Sequence, residues 1–229
     1  MNFREFDRYA HEYDAALTKG LRISGQDRDF FARGRIAWLA RELQKNGATS
    51  LSVMDFGCGT GSSTPYFIEL LGVRSVIGID ISTKVLEVAR EKYSTLNTQF
   101  ILMDEYQPAG CFDLAFCNGV FHHISPDKRA EIISYISSAL CRKGLFALWE
   151  NNPWNPGARY IMKKIPFDKD ATLVSALEAR RLLQAGGFEI ISTTFLFVFP
   201  KVLSWFRIFE PFLARLPFGA QYQVLCRRP

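Results

Sequence analysis

Three glycines alternate with other residues in the run Asp55-Phe56-Gly57-Cys58-Gly59-Thr60-Gly61. Glycines spaced this way let a chain turn tightly with positive φ and let a ligand come close to the backbone. The run follows the apolar stretch Leu51 to Met54 and precedes a helical pattern over 62–71. A strand that passes through glycines into a helix presents free helix N–H groups to polar or anionic ligand atoms. Nucleotide-like ligands dock at that edge of an open α/β sheet. The spacing is GxGxG, not the GxGxxG of dinucleotide sites, and Asp55 stands two residues before the first glycine. A carboxylate there does not suit a pyrophosphate; it suits a ligand with a cationic amino group.

Further along, Asp80 closes the apolar stretch Val76-Ile77-Gly78-Ile79. A carboxylate at the end of the second strand can accept both hydroxyls of a ribose, and taken alone it fits NAD equally well. Asp104 and Glu105 follow the third strand, where an acid can accept from an adenine amino group; capping a turn is the plain alternative for Asp104. Two of the chain's three histidines, His122 and His123, follow the fourth strand. Imidazole is a good general base near neutral pH. Adjacent histidines usually point in different directions, so at most one is expected to act on a substrate, and which one stays open. Glu150 ends the fifth strand, where it can orient a histidine; a salt bridge or a loop cap is its plain reading.

These residues require a particular scaffold. Strands are expected at 51–54, 73–79, 98–103, 112–117 and 145–149, with helices at 62–71, 83–93 and 126–140 between them. Short apolar strands alternating with such helices make a parallel, doubly wound sheet with helices on both faces. Ahead of it, Phe3, Phe6, Tyr9, Tyr13 and Leu17 lie three or four apart on one face of a helix over 3–17, and a second helix is expected over 26–44. Behind it come a helix over 172–185 and strands over 188–197 and 220–226.

The motifs VMDFGCGTG (53–61), VIGID (76–80), LMDE (102–105), FDLAFCNGVFHHI (112–124) and GLFALWE (144–150) together resemble the class I S-adenosylmethionine-dependent methyltransferases, over about residues 50–195 and the last strand. The resemblance implies a seven-stranded Rossmann-like sheet whose last strand is antiparallel. It implies one domain over 1–229: an N-terminal helical lid (1–46), a cofactor-binding core (50–195), an aromatic insertion (196–219) and a final strand (220–229). S-adenosylmethionine is the implied cofactor, held by Tyr13, Asp55, Gly57, Cys58, Gly59, Gly61, Asp80, Ile81, Asp104, Glu105, Asn118 and Gly119. The layout is similar to that of small-molecule O-methyltransferases, including those acting on sugars of natural products. His122, His123 and Glu150 are then the catalytic candidates, and Tyr9, Trp149, Asn152 and Trp154 the substrate-binding ones. Plain packing on the sheet is the commoner role for aromatics such as Tyr9 and Tyr13. Arg22, Arg33 and Arg35 are nearby cations for a carboxylate. Asn152-Pro153-Trp154 superficially matches the [ND]PP[YFW] loop of nitrogen methylases, but it follows the wrong strand and lacks the second proline, which speaks against DNA as substrate.

The 229 residues are 48% apolar and 22% charged, which excludes a disordered tail protein and a multi-pass membrane protein. A net charge of +5 without a basic run does not point to nucleic acid and is equally compatible with a weak attraction to anionic lipid or an acidic substrate. Five cysteines with no CxxC lead us to expect reduced thiols and no metal site. The charged start, without an apolar leader, leads us to expect a cytoplasmic protein. The stretch 195–218 carries seven Phe and one Trp. Packing across the sheet edge is the first expectation for it, a cap over an acceptor pocket the second, and contact with a membrane interface through 196–219 the third. The competing functions are a dinucleotide oxidoreductase, a cofactor-binding protein without catalysis, a methyltransferase of a lipid-linked, quinone or glycan acceptor, and an RNA methyltransferase. The expected partner is a small-molecule acceptor, with oxygen as the attacked atom and a histidine as base.

Overall fold

A computed structural model of the chain describes residues 20–21, 24–45, 51–168 and 171–229. The helix expected over 3–17, with Tyr9 and Tyr13, lies outside them, as does Arg22. The sheet has seven strands: β1 (Ser52–Phe56), β2 (Ser75–Asp80), β3 (Thr98–Leu102), β4 (Phe112–Asn118), β5 (Leu140–Asn151), β6 (Glu189–Leu196) and β7 (Gln221–Arg227). Their spatial order is β3-β2-β1-β4-β5-β7-β6. The first five run parallel, and β7 lies antiparallel to both β5 and β6. The order reverses between β1 and β4, which opens a crevice beyond the carboxyl ends of those strands.

The described helices that bear on the site are α1 (Arg28–Lys45), α2 (Thr64–Leu71), α3 (Thr83–Tyr93), α4 (Arg129–Ala139), α5 (Pro156–Met162), α6 (Ala176–Ala185) and α7 (Glu210–Leu213). Successive side chains of a strand point to opposite faces, and the two main cores follow that alternation. Val53, Leu114, Phe116, Ala147, Trp149 and Leu225 face one side, with Ile36, Leu39 and Leu43 of α1 and Phe67 of α2. Met54, Ala115, Cys117, Phe146, Leu148 and Val224 face the other, with Ile133 and Ile136 of α4 and Ala179 and Leu183 of α6. Both faces are covered, so the strands read as continuous apolar runs.

β5 is longer than the expected 145–149. Leu140 follows α4 directly and already pairs with Phe112, and Lys143 takes a positive φ of 64° as the strand irregularity is passed. α6 starts at Ala176 instead of 172 because the Ser175 hydroxyl accepts from Glu178 N and caps it. The aromatic segment becomes a 3₁₀ helix over Lys201–Phe209 and the short α7. It is pinned to the sheet at its inner edge, where Phe195 N donates to Ala214 O at 2.7 Å. No helix among the described residues is long and apolar enough to cross a membrane.

Candidate active site

The glycine run forms the loop between β1 and α2. Gly57 N and Cys58 N both donate to Ile79 O, at 2.7 and 3.1 Å, and Gly59 N donates to Asp80 Oδ2 at 2.9 Å. Asp80 Oδ1 accepts from Ser82 N at 3.0 Å. One carboxylate thus ties the loop after β1 to the turn after β2. Gly57 and Gly59 have φ of 70° and 54°, where a side chain is strained. They differ in surroundings. A Cβ on Gly57 would sit 2.3 Å from Val120 Cγ2, whereas one on Gly59 would meet nothing within 4 Å. The first glycine packs the loop; the second faces open space of the kind a ligand fills.

Two cavities meet over this loop. The smaller is walled by Ile79, Asp80, Ile81, Val85, Met103 and Ile132. The larger is walled by Arg28, Arg35, Asp55, His122, Ile161 and Asp168, among others. Gly57, Gly59, Asn118, Gly119 and His123 belong to both walls, so these five residues form the junction. Cys58 lines the larger cavity. Gly61 lies behind the loop, where a Cβ would come within 3.0 Å of Tyr93.

Asp55 is buried at the end of β1. Burial, then the nearby Asp80 charge, push its carboxyl up to about 7, against the pull of Arg35. A buried carboxyl that titrates near neutrality is poised to take a cationic partner. Arg28, which the sequence reading passed over, lines the larger cavity and donates to Thr60 Oγ1 at 3.3 Å. Arg35 donates to Gln221 Oε1 at 3.0 Å, and Arg33 turns to the surface and pairs with Glu69 at 2.8 Å.

The histidines and Glu150 do come together. His122 Nδ1 lies 2.6 Å from Glu150 Oε2, and Glu150 Oε1 accepts from Phe121 N at 2.7 Å. A second carboxylate completes the group. Asp168 Oδ1 is 3.4 Å from His122 Nε2 and 3.2 Å from His123 Nε2. Burial disfavours a charged His122, but Glu150 and Asp168 on either side outweigh it and push its pKa up to about 10. Burial likewise works against the Asp168 carboxylate, yet His122 and His123 hold it below the ordinary range. The two carboxylates on either side of the His122 ring thus favour its protonated form. The ligand-type atoms of His122, His123 and Asp168 lie within 4.8 Å of one another, a grouping able to hold a metal ion that sequence spacing does not show.

Asp168 was missed because it lies in a short 3₁₀ turn (Pro166–Asp168) far along the chain from the histidines. One signal marks it: no acidic residue occurs between Asn151 and Phe167, and Asp168 ends that stretch. Other candidates are placed away from the cavities. Trp149 is wholly buried on the α1 side of the sheet, because its position in β5 points opposite to Leu148 and Glu150. Asn152 is buried, and its amide donates to Pro217 O and Gly219 O at 3.0 and 2.8 Å. Trp154 is exposed. Asp104 and Glu105 are exposed on a 3₁₀ turn, and Met103 beside them faces the smaller cavity instead.

Residues 53–144 match a family model described as a methyltransferase domain. A trans-aconitate 2-methyltransferase of Rhizobium etli is 35% identical over 97 residues, which are 42% of this chain and 36% of that protein. The chain thus spans about a third of the length of such curated relatives. Among solved structures, a chain described as a methyltransferase, in complex with the Haloferax volcanii Trm112 methyltransferase activator, superposes with a TM-score of 0.66 at 16% identity over 99% of this chain and 97% of that one. The magnesium protoporphyrin IX methyltransferase of Synechocystis PCC 6803, solved with bound SAH, gives 0.61 at 20% identity over 92% and 86%. These similarities establish the fold as that of S-adenosylmethionine-dependent methyltransferases.

Proposed function

We propose that this chain, whose residues 53–144 carry a methyltransferase domain, is an S-adenosylmethionine-dependent methyltransferase that methylates an oxygen of a small molecule. One observation carries the reading: a cavity walled by Asp80 and a cavity walled by paired histidines share a junction at Gly57, Gly59, Asn118, Gly119 and His123. The open space at Gly59 and the buried Asp55 fit the cofactor. Asp80 would hold the ribose hydroxyls, Asp55 the amino group, and Arg28 the carboxylate. Bound there, S-adenosylmethionine supplies a methyl group on a cationic sulfur.

The rest belongs to the chain's own side chains. His123 is the histidine at the junction, and Asp168 holds its Nε2. In this reading His123 takes the acceptor's proton while Asp168 fixes the ring. His122 positions Asp168 and Glu150 and is no base, because it keeps its proton well past neutral pH. Ile161, Met162 and Ile165 give the larger cavity an apolar wall.

Calorimetric titration with S-adenosylhomocysteine, with NAD in parallel, tests the cofactor. Binding of S-adenosylhomocysteine alone is expected; binding of NAD alone overturns the proposal in favour of hydride transfer. Once an acceptor is found by screening, His123→Gln should lower turnover by about 10²-fold or more with S-adenosylhomocysteine affinity unchanged. Unchanged turnover would remove His123 as base and leave the cofactor reading standing.

A further inference from the structure

The aromatic segment does not cover its own apolar side chains. Trp205 and Ile208 lie three apart in a 3₁₀ helix, which has three residues per turn, so they stand on one ridge. They are 69% and 71% exposed. The helix kinks at Leu203, and Val202 before the kink and Phe212 in α7 are 80% and 82% exposed. A ridge so apolar is uncommon on a monomer surface without a partner.

The charges on this surface have one sign. Lys201 and Arg215 are exposed, while the segment's one acid, Glu210, turns inward to accept from Phe199 N at 3.0 Å. Arg207 also turns inward, donating to Phe199 O and stacking over Phe30 at 4.4 Å. A second stretch joins the first. Asn152 binds the carbonyls of Pro217 and Gly219, and Asn155 binds that of Phe218 at 2.8 Å. That stretch exposes Trp154, Tyr160, Arg159, Lys163 and Lys164 and contains no acid before Asp168. Aromatic side chains at the surface with only cations among them match the chemistry of an anionic lipid interface. They match a protein poorly: an ordinary interface carries about ten hydrogen bonds, and the 201–218 stretch exposes only Lys201, Ser204 and Arg215 as polar side chains able to make them.

One of the two stretches also walls the candidate active site. α5 turns Ala158, Ile161 and Met162 into the larger cavity and Arg159 and Tyr160 outward. We propose that residues 152–166 and 198–218 form a docking surface for an anionic phospholipid membrane and that the acceptor is an amphiphile drawn from it. The acceptor half rests on the methyl-transfer reading; the docking half does not.

The test is co-sedimentation of the full chain with phosphatidylglycerol-containing vesicles and with pure phosphatidylcholine vesicles, at low and high salt. Partition at least about tenfold stronger onto the anionic vesicles, weakened by salt, is expected. Doxyl-labelled lipids should quench tryptophan fluorescence. Trp205→Ser with Phe212→Ser should abolish partition while the cooperative urea unfolding of the unaltered chain is retained, which shows the variant folded. Absence of partition by the unaltered chain overturns the proposal, as does partition that survives the double substitution. So does a stable dimer by light scattering that the double substitution makes monomeric, since the surface would then be an interface between copies. Loss of S-adenosylhomocysteine binding with partition intact would instead strike the methyl-transfer reading alone.

Discussion

The β1–β2 side of the crevice and the β5–α5 side are built by different means. On the first side, backbone amides do the work. Gly57, Cys58 and Gly59 donate to Ile79 and Asp80, and every partner lies within about two dozen residues of the others in the chain. On the second, side chains do it: His122, Glu150 and Asp168 come from three separate elements and hold one another by charge in a buried place. A backbone-made site tolerates substitution wherever a side chain has room, whereas a charge-made site fails when any member is lost. On the proposed function, the difference separates a half that would serve a cofactor through a local motif from a half whose chemistry would depend on long-range folding.

Glu150→Ala should show the contrast most strongly. It leaves His122 buried with one carboxylate in place of two and strips the acceptor from Phe121 N. Breaking a buried pair by removing one partner costs about 3–5 kcal/mol, so urea unfolding should shift by that amount. A loss below about 1 kcal/mol would mean that the cluster is not held by charge.

Legibility follows the same division. The glycine loop and Asp80 could be read because a strand, three glycines and an acid at a set distance form a local pattern, and the doubly wound sheet because short apolar strands alternate with helices. Glu150 could be placed beside the histidines because β4 and β5 are neighbours and their ends coincide, Asn118 pairing with Trp149. Asp168 could not, since its approach depends on how α5 and the following turn fold back. Trp149 and Asn152 failed as cavity residues for the reason that strands alternate: Trp149 points to the α1 face, and Asn152 is spent on the carbonyls of 217 and 219. The exposure of Trp205 and Phe212 was equally hidden, because an apolar helix reads alike whether its apolar side faces in or out.

Within the backbone-made half, two glycines of like φ should part company. Gly57→Ala forces a Cβ to 2.3 Å from Val120 in addition to the strain of positive φ. It should cost about 2–3 kcal/mol of stability and abolish S-adenosylhomocysteine binding. Gly59→Ala meets no neighbour, so stability should fall by only about 1 kcal/mol, while affinity falls because the methyl group occupies the ligand's approach. Equal effects on stability would blur the distinction between packing glycine and ligand glycine.

A further effect is one of pH, and it links the two halves. Asp55 has its pKa raised from 3.8 to about 7, and His122 from 6.5 to about 10. A group whose folded pKa is raised stabilises fully below its unfolded pKa, and that stability is lost as pH rises through the folded value. Stability of the ligand-free protein should therefore decline between about 4 and 7 through Asp55, and again between about 6.5 and 10 through His122. A cationic amino group beside Asp55 favours its carboxylate, so binding below pH 7 expels a proton. S-adenosylhomocysteine affinity should then weaken by up to about tenfold per unit as pH falls from 7 to 5.5, and level off above 7. Calorimetry in buffers of different ionisation enthalpy measures the proton directly. Asp55→Asn should flatten the profile, since no proton is left to release; a slope that persists in that variant would assign the ammonium contact to another group.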